Sequence, residues 1–279
     1  MDPSTGYVTD YSYQNGVETS TGSFDSTDAY AGTFLAAAWD TYSTSPNPTK
    51  LANLVPAIRL AMKAIESTQE SDGLTWATPT WHVKYLMDNA EVYGGLVAAE
   101  DLARVAGNGA LESEATSDAS SSFGGIQGLW NTATESYDWA RAGADTSTDT
   151  KTDWTVLYPD AFEQMWAVAW GAATSTHAAT ILANFAADQP NWDVPTDSAP
   201  FLTNATVASA EIGYWPFAAT AWVAVGDPGA DVTAATSLHA DLDANGEAWP
   251  CGTRAWPANS SSPSPRRGPS SPENPAAPE

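Results

Sequence analysis

An acid-led helix opening recurs four times along this chain. The openings are Asp28-Ala-Tyr-Ala-Gly-Thr-Phe34, Asp88-Asn-Ala-Glu-Val-Tyr-Gly94, Asp160-Ala-Phe-Glu-Gln-Met-Trp166 and, more loosely, Glu211-Ile-Gly-Tyr-Trp-Pro-Phe217. They fall 60, 72 and 51 residues apart, the length of one helical hairpin plus its loops. Three of the units also carry a later loop that pairs a turn residue with Trp and Pro. These loops are Asp72-Gly-Leu-Thr-Trp76-Ala-Thr-Pro79, Asn191-Trp192-Asp-Val-Pro195 and Asn245-Gly-Glu-Ala-Trp249-Pro250. Repetition at this period describes stacked supersecondary units, none of which buries its apolar face alone. It also sets acids and tryptophans along one rim.

The periodicity between these marks is helical. Residues 1–24 read as a short strand, a turn at Asn15-Gly16 and a polar loop. A first helix is expected from about Asp28 to Tyr42, and a second over roughly 49–69, with Leu51, Leu54, Val55, Ile58, Met62 and Ile65 at helical spacing. A third runs from Asp88 to Val105 and a fourth over roughly 110–135. Two aromatic segments, Tyr137-Asp-Trp139-Ala and Thr152-Asp-Trp154-Thr-Val-Leu-Tyr158, flank a polar turn and predict a β-hairpin. A fifth helix begins at Asp160, after a proline suited to a helix start, and ends near Gly171. A sixth covers about 175–187, a seventh 206–225 and an eighth 230–242. From Gly252 onward the chain is rich in Pro and Ser and holds three arginines, a composition that cannot bury enough apolar surface to order itself. It reads as a natural disordered tail or as a frameshifted end. The expected division is therefore 1–251 and 252–279.

Composition removes several function classes. The formal charge is −24, with 34 acids against 10 Lys and Arg. A nucleic-acid binder that works through bulk electrostatics needs a basic footprint, and anionic membranes would repel such a surface. No run approaches the length of a membrane span. The Asp, Thr and Ala richness with little Lys resembles the proteomes of salt-adapted archaea, where salt screens the self-repulsion of an acidic surface. An acidic secreted bacterial protein is the other reading. The lone Cys251 allows no intramolecular disulfide and no cysteine metal site. Met1-Asp-Pro-Ser-Thr-Gly6 has neither a basic start nor an apolar stretch, so no signal peptide is visible. The expectation is a cytoplasmic protein, or an extracellular or cell-surface one whose true start lies upstream.

Alternating helices with short connections and no parallel-strand signal predict an all-α fold of antiparallel hairpins. The odd helices carry aromatic and small residues (Phe34, Ala37 and Ala38; Val92, Gly94 and Gly95; Trp166, Ala169 and Trp170; Phe217, Ala218 and Trp222) that permit close approach at a crowded centre. They are expected inside, with the even helices as an outer wall. On the hairpin period, the Asp-led inner helices, the Asp72-Gly73-x-x-Trp76 loop and the Leu157-Tyr-Pro-Asp-Ala161 segment, the chain resembles the six-hairpin glycosidase superfamily over about residues 5–250. That resemblance implies an (α/α)6 toroid with small β-hairpin insertions and a cleft where the inner helices begin. It also implies action on poly- or oligosaccharides, mostly by hydrolysis with paired carboxylates and without a cofactor. Four hairpins are visible where a closed toroid needs six. The other two are expected upstream of Met1 or beyond the altered C-terminal segment, which favours the upstream start.

The candidate catalytic groups are Asp28, Asp88, Glu91, Asp160 and Glu163. Asp88 with Glu91, and Asp160 with Glu163, stand at i, i+3 on one helix face. The same spacing also describes a capping box, and Ser26, Thr27 or Asp28 could simply cap the first helix. A glycosidase needs one carboxyl held protonated and one ionised. The acid is expected at Glu91 or Glu163, enclosed by aromatics, and the base at Asp28 or Asp88. Trp76, Trp81, Tyr85, Trp139, Trp154, Tyr158 and Trp192 fall in rim loops, where flat rings can stack on pyranose faces. His82 lies between Trp81 and Tyr85 as a candidate hydrogen-bonding group. His177 and His239 read as helix surface, and Trp166, Trp170 and Trp222 as core. No HExxH or His cluster exists, so no metal is expected; Asp241-Leu-Asp243-Ala-Asn245-Gly246 matches only half of a calcium loop.

The expected partner is a carbohydrate. Lys84, Arg141 and Gln164 are the few cationic or amide groups near the rim, which favours neutral sugars over uronates. Two other readings stand beside the hydrolase: a non-catalytic glycan-binding or scaffold toroid, and a polysaccharide lyase or epimerase.

Overall fold

The structure, a computed structural model, describes residues 1–143 and 146–189. The expected fourth hairpin, Glu211, Trp192, Trp222, His239, the half calcium loop, Cys251 and the Pro/Ser-rich segment lie outside the described residues. Those described are mostly helical. A hairpin of β1 (Tyr11–Gln14) and β2 (Val17–Ser20) turns at Asn15-Gly16, both with positive φ. Three helical hairpins follow: α1 (Thr27–Thr44) with α2 (Pro48–Glu66), α3 (Leu86–Val105) with α4 (Gly109–Gln127), and α5 (Phe162–Ala169) with α6 (Ser175–Asp188).

The odd helices form one layer and run parallel. Between α3 and α5 the register is constant. Met87 meets Glu163 and Glu91 meets Trp166, pairs 76 and 75 residues apart, and Gly94 lies against Trp170. Between α1 and α3, Thr33 bonds Glu91 and Gly32 lies against Gly95. This second crossing is backbone on backbone. A Cβ at Gly95 would stand 2.4 Å from the Gly32 carbonyl oxygen, and one at Gly32 would stand 2.6 Å from the Glu91 carbonyl oxygen. Only glycine lets the two axes come so near. The even helices pack behind, α2 on α1 and α3, α4 on α3, and α6 on α5. Leu51, Ile58, Met62 and Ile65 bury the inward stripe of α2 as its periodicity predicts. Two apolar clusters result, one shared by α1 to α4 and one around α5 and α6.

Three sequence expectations need correction. The fourth helix ends at Gln127, not near 135. After it, β4 (Trp130–Asn131) and β5 (Ser136–Tyr137) form a tight hairpin that drives Tyr137 into the core, where Gln164 bonds its backbone N–H and C=O. The predicted 137–158 hairpin is only a short contact, at Ala140 and Thr150. There β6 (Ala140–Ala142) pairs antiparallel with β3 (Val83–Tyr85), just ahead of α3. Residues Leu157–Ala161 form a π-helical turn instead of a strand, non-helical only at Tyr158, and run directly into α5, so the helical conformation does begin about Asp160. Among the described residues no helix is long and apolar enough to cross a membrane.

The α1–α3 crossing makes a prediction. Gly95→Ala should cost about 1–3 kcal/mol, the range for overpacking a tight core site. Gly124→Ala, on α4 where an added Cβ meets nothing within 4 Å, should instead stabilise by about 0.5–1 kcal/mol. Urea unfolding of the two variants checks this, and similar effects at both positions would refute the close crossing.

Candidate functional site

The parallel odd helices bring their starting turns together. α1 begins conventionally: Ser26 is the N-cap and its hydroxyl accepts from Ala29 N–H at 3.1 Å. Asp28 is therefore the second helical residue, not the cap. Its carboxylate takes Ser26 Oγ–H at 2.7 Å, Ala29 N–H at 2.8 Å and, across the fold, Thr75 Oγ1–H at 2.6 Å. Thr75 belongs to the Asp72-Gly-Leu-Thr-Trp76 loop, whose Ala77 carbonyl also accepts the first helical N–H, from Thr27. The loop is fixed in turn to α3, because Asn89 accepts Thr75 N–H at 2.8 Å and donates to the Thr75 carbonyl. One loop thus joins the beginnings of α1 and α3.

The capping box expected at Asp88 and Glu91 does not form. α3 starts two residues earlier, at Leu86, after an N-cap, Tyr85, that makes no side-chain cap bond. The free N–H groups of the first turn are satisfied from outside. Leu86 N–H goes to the Trp139 carbonyl, 2.9 Å away, and Met87 N–H to Glu163 Oε2 at 3.2 Å. Glu163 is thus a capping carboxylate supplied by the neighbouring α5. Asp88 and Glu91 sit at the third and sixth helical positions, with Cβ atoms about 5–6 Å apart by helical geometry. Glu91 accepts Trp166 Nε1–H at 2.9 Å and Thr33 Oγ1–H at 2.9 Å. Asp88, only 8% exposed, accepts no hydrogen bond from the described residues.

Asp28, Asp88, Glu91 and Glu163 form one electrostatic group. Burial is the first cause of a raised pKa in all four. Asp28 is pushed up to about 6 against its three hydrogen bonds, and Glu91 to about 7 against its two. Asp88 and Glu163 are raised well above the ordinary carboxylate range. For Asp88 the neighbouring charges of Asp28, Glu91 and Glu163 push the same way, with a further push from Asp25, which is exposed. A carboxyl without donors in such surroundings keeps its proton; one with two donors is poised to lose it near neutrality.

Asp160 plays a different part. Its carboxylate accepts Asp153 N–H at 2.8 Å and holds the turn before α5. It is within electrostatic reach of Glu163.

Five of the rim groups assemble next to the start of α3. The Trp76 ring stacks on His82 at 3.7 Å, Trp81 Nε1–H donates to the Tyr85 hydroxyl at 3.2 Å, and Tyr85 lies nearly parallel to Trp139. Trp81 is 57% exposed, and Trp76 Nε1 is buried with no partner among the described residues. Trp154 stands apart, donating to the Thr134 carbonyl and packing on the core around α5. Tyr158 is half-exposed beside Phe162.

Other expectations change with the structure. Lys84 and Arg141 are not rim cations. Both are buried, Lys84 bonded to both Asp72 oxygens at 2.8 Å and Arg141 to Asp149 and Asp72. These partners hold Asp72 below its usual range. Gln164 is wholly buried on Tyr137 and Thr152. His177 is not plain helix surface, since it stacks on Trp130 at 3.6 Å and bonds the Tyr137 hydroxyl. Sequence reading missed Thr33, Thr75 and Asn89, which fix the acids, and placed Trp166 in the core without its bond to Glu91. Among the described residues no three His, Cys, Asp or Glu side chains are grouped to hold a metal ion. No protein-family model matches this chain, and no curated protein matches it either.

The acid group gives the fold a definite pH dependence. Asp28 and Glu91 keep protons in the folded state that the unfolded chain releases near its ordinary values of 3.8 and 4.5. Their contribution to stability is complete below those values and is lost as pH rises through about 6 and 7. Melting temperature should therefore fall between about pH 4.5 and pH 7.5, and Asp28→Asn or Glu91→Gln should flatten the fall. A melting temperature that rises across that range would contradict the buried group.

Proposed function

We propose that this chain is a carbohydrate-active enzyme of the (α/α) toroid class, a glycoside hydrolase in which Asp88 and Glu91 carry the reaction. The observation that supports this reading is a single pair: two neighbouring carboxyls on one helix face with opposite hydrogen-bonding. Asp88 has burial and like charges but no donor among the described residues, which favours the protonated form. Glu91 has two donors, which favours the ionised form. A glycosidase uses such a division, one carboxylic acid to protonate the leaving oxygen and one carboxylate to activate water or attack the sugar. The hydrogen bonds favour Asp88 as the acid and Glu91 as the base, the reverse of the sequence expectation for this pair. Asp28 and Glu163 fit the chemistry less well, because their oxygens are occupied by α1 and its loop and by the start of α3.

The aromatic group of Trp76, Trp81, His82, Tyr85 and Trp139 adjoins that pair along the chain, since Tyr85 leads into α3 and Trp76 follows Thr75. Ring faces there would hold pyranose units, and exposed Trp81 is the best placed. With Lys84, Arg141 and Gln164 all engaged inside the fold, uronate-directed lyase or epimerase chemistry has little support.

Release of reducing ends from a panel of oligosaccharides tests the reading. Asp88→Asn and Glu91→Gln should each lower turnover by about 10²–10⁴, the usual weight of a general acid or base, while sugar binding persists. Trp81→Ala should weaken binding about tenfold, equivalent to about 1.4 kcal/mol. A wild-type protein that binds sugars through Trp81 and cleaves none would instead be a glycan-binding module.

A further inference from the structure

Hydrolysis of a glycosidic bond needs two carboxyls. Four gather at the centre of this fold: Asp88 and, each within its electrostatic reach, Asp28, Glu91 and Glu163. The structural duties of the other two do not require acids. Ser26 already caps α1, and a neutral amide at position 163 could accept Met87 N–H as the glutamate does. None of the four is bonded to a Lys or Arg among the described residues. The basic side chains that could have helped are spent elsewhere, Lys84 and Arg141 on Asp72 and Asp149, Arg104 on Asp101. Asp88, more than nine-tenths buried, accepts no hydrogen bond from the described residues. The centre therefore holds more carboxyls than the fold or a two-carboxyl reaction uses, and they cannot all ionise until positive charge arrives to offset them.

We infer that the missing positive charge arrives on the substrate, and that the site takes a basic sugar: an oligosaccharide of 2-amino-2-deoxypyranose units with the amine protonated. The inference rests on the hydrolase reading for the place of the scissile bond. The amine at the second ring carbon adjoins the anomeric carbon, where positive charge develops as the bond breaks. An ammonium there opposes that charge, and a neutral-sugar site has no means to offset it. Surplus carboxylates on fixed helices supply the offset at the position where it is needed. The ammonium also offers three donors to oxygens that lack them. Acetylation of the amine removes the charge and the donors together, so the same site should discriminate against the N-acetylated sugar.

The test compares three hexamers at about pH 6, where an amine retains its proton: the glucosamine hexamer, its fully N-acetylated form and cellohexaose. Binding is measured by calorimetry on the Glu91→Gln full chain, which keeps Asp88 and the other two acids but blocks turnover. Cleavage is measured on the wild type. The amino hexamer should bind at least about tenfold more tightly than either neutral hexamer, the scale of a charge-assisted contact, and should be the one cleaved. Cleavage of a neutral hexamer without preference for the amine would overturn the inference and leave the hydrolase reading standing. Preferential binding of the amine without any cleavage would support the basic-ligand site and refute the hydrolase. No binding of any hexamer would overturn the inference. Should Glu91→Gln not fold, the same comparison on wild-type protein in the cold replaces it.

Discussion

The crossing of α1 over α3 at Gly32 and Gly95 sets the rest of the structure. Two helices normally stand 8–10 Å apart because side chains fill the space between them. Here the side chains are missing from both sides, and the backbones meet. That proximity carries Thr33 to Glu91, puts Asp28 within reach of Asp88, and leaves the Asp72–Pro79 loop short enough to bond both helix starts. Larger residues at the two glycines would move the carboxyls of α1 and α3 apart.

The crossing also forces an electrostatic cost. Carboxyls brought together in a buried space cannot all ionise, so protons, donors or external charge must compensate. The fold applies a different remedy at each acid. Asp28 is given three hydrogen bonds, Glu163 the start of a neighbouring helix, and Glu91 an indole and a hydroxyl. Among the described residues, Asp88 is given none. A buried acid with no donor among the described residues is the natural point of contact with a ligand. The ion-pair cluster of Lys84, Arg141, Asp72 and Asp149 is balanced within itself and lends no compensating bond to this centre.

Much of this arrangement was legible in the sequence, because regular helices write their period into it. The openings at Asp28, Asp88 and Asp160 recur as the hairpins do, and the small residues of the odd helices, Gly94 and Gly95 among them, mark the close layer. What sequence could not show was where helices begin when their caps come from elsewhere in the fold. Asp88 and Glu91 match a capping box by spacing, yet α3 opens at Leu86 because Glu163 and the Trp139 carbonyl serve its first N–H groups. Nor does local sequence carry the fate of Lys84 or Gln164, whose partners lie 12 residues or more away. Thr75 stood in plain view beside Trp76, but a threonine bonded to an acid 47 residues distant leaves no periodic trace.

Glu91 lies half-buried in a crowded acidic centre and not on a solvated helix face, and its own titration reports that directly. Carbon-13 labelling of the glutamate carboxyls, followed by NMR across the pH range, should reveal two resonances titrating near 7, well above the ordinary 4.5: that of Glu66, raised by burial and by Glu114, and that of Glu91, which vanishes in Glu91→Gln. Should the resonance lost in that variant titrate at the ordinary value, Glu91 would be an exposed carboxylate and the shared acidic centre would not exist.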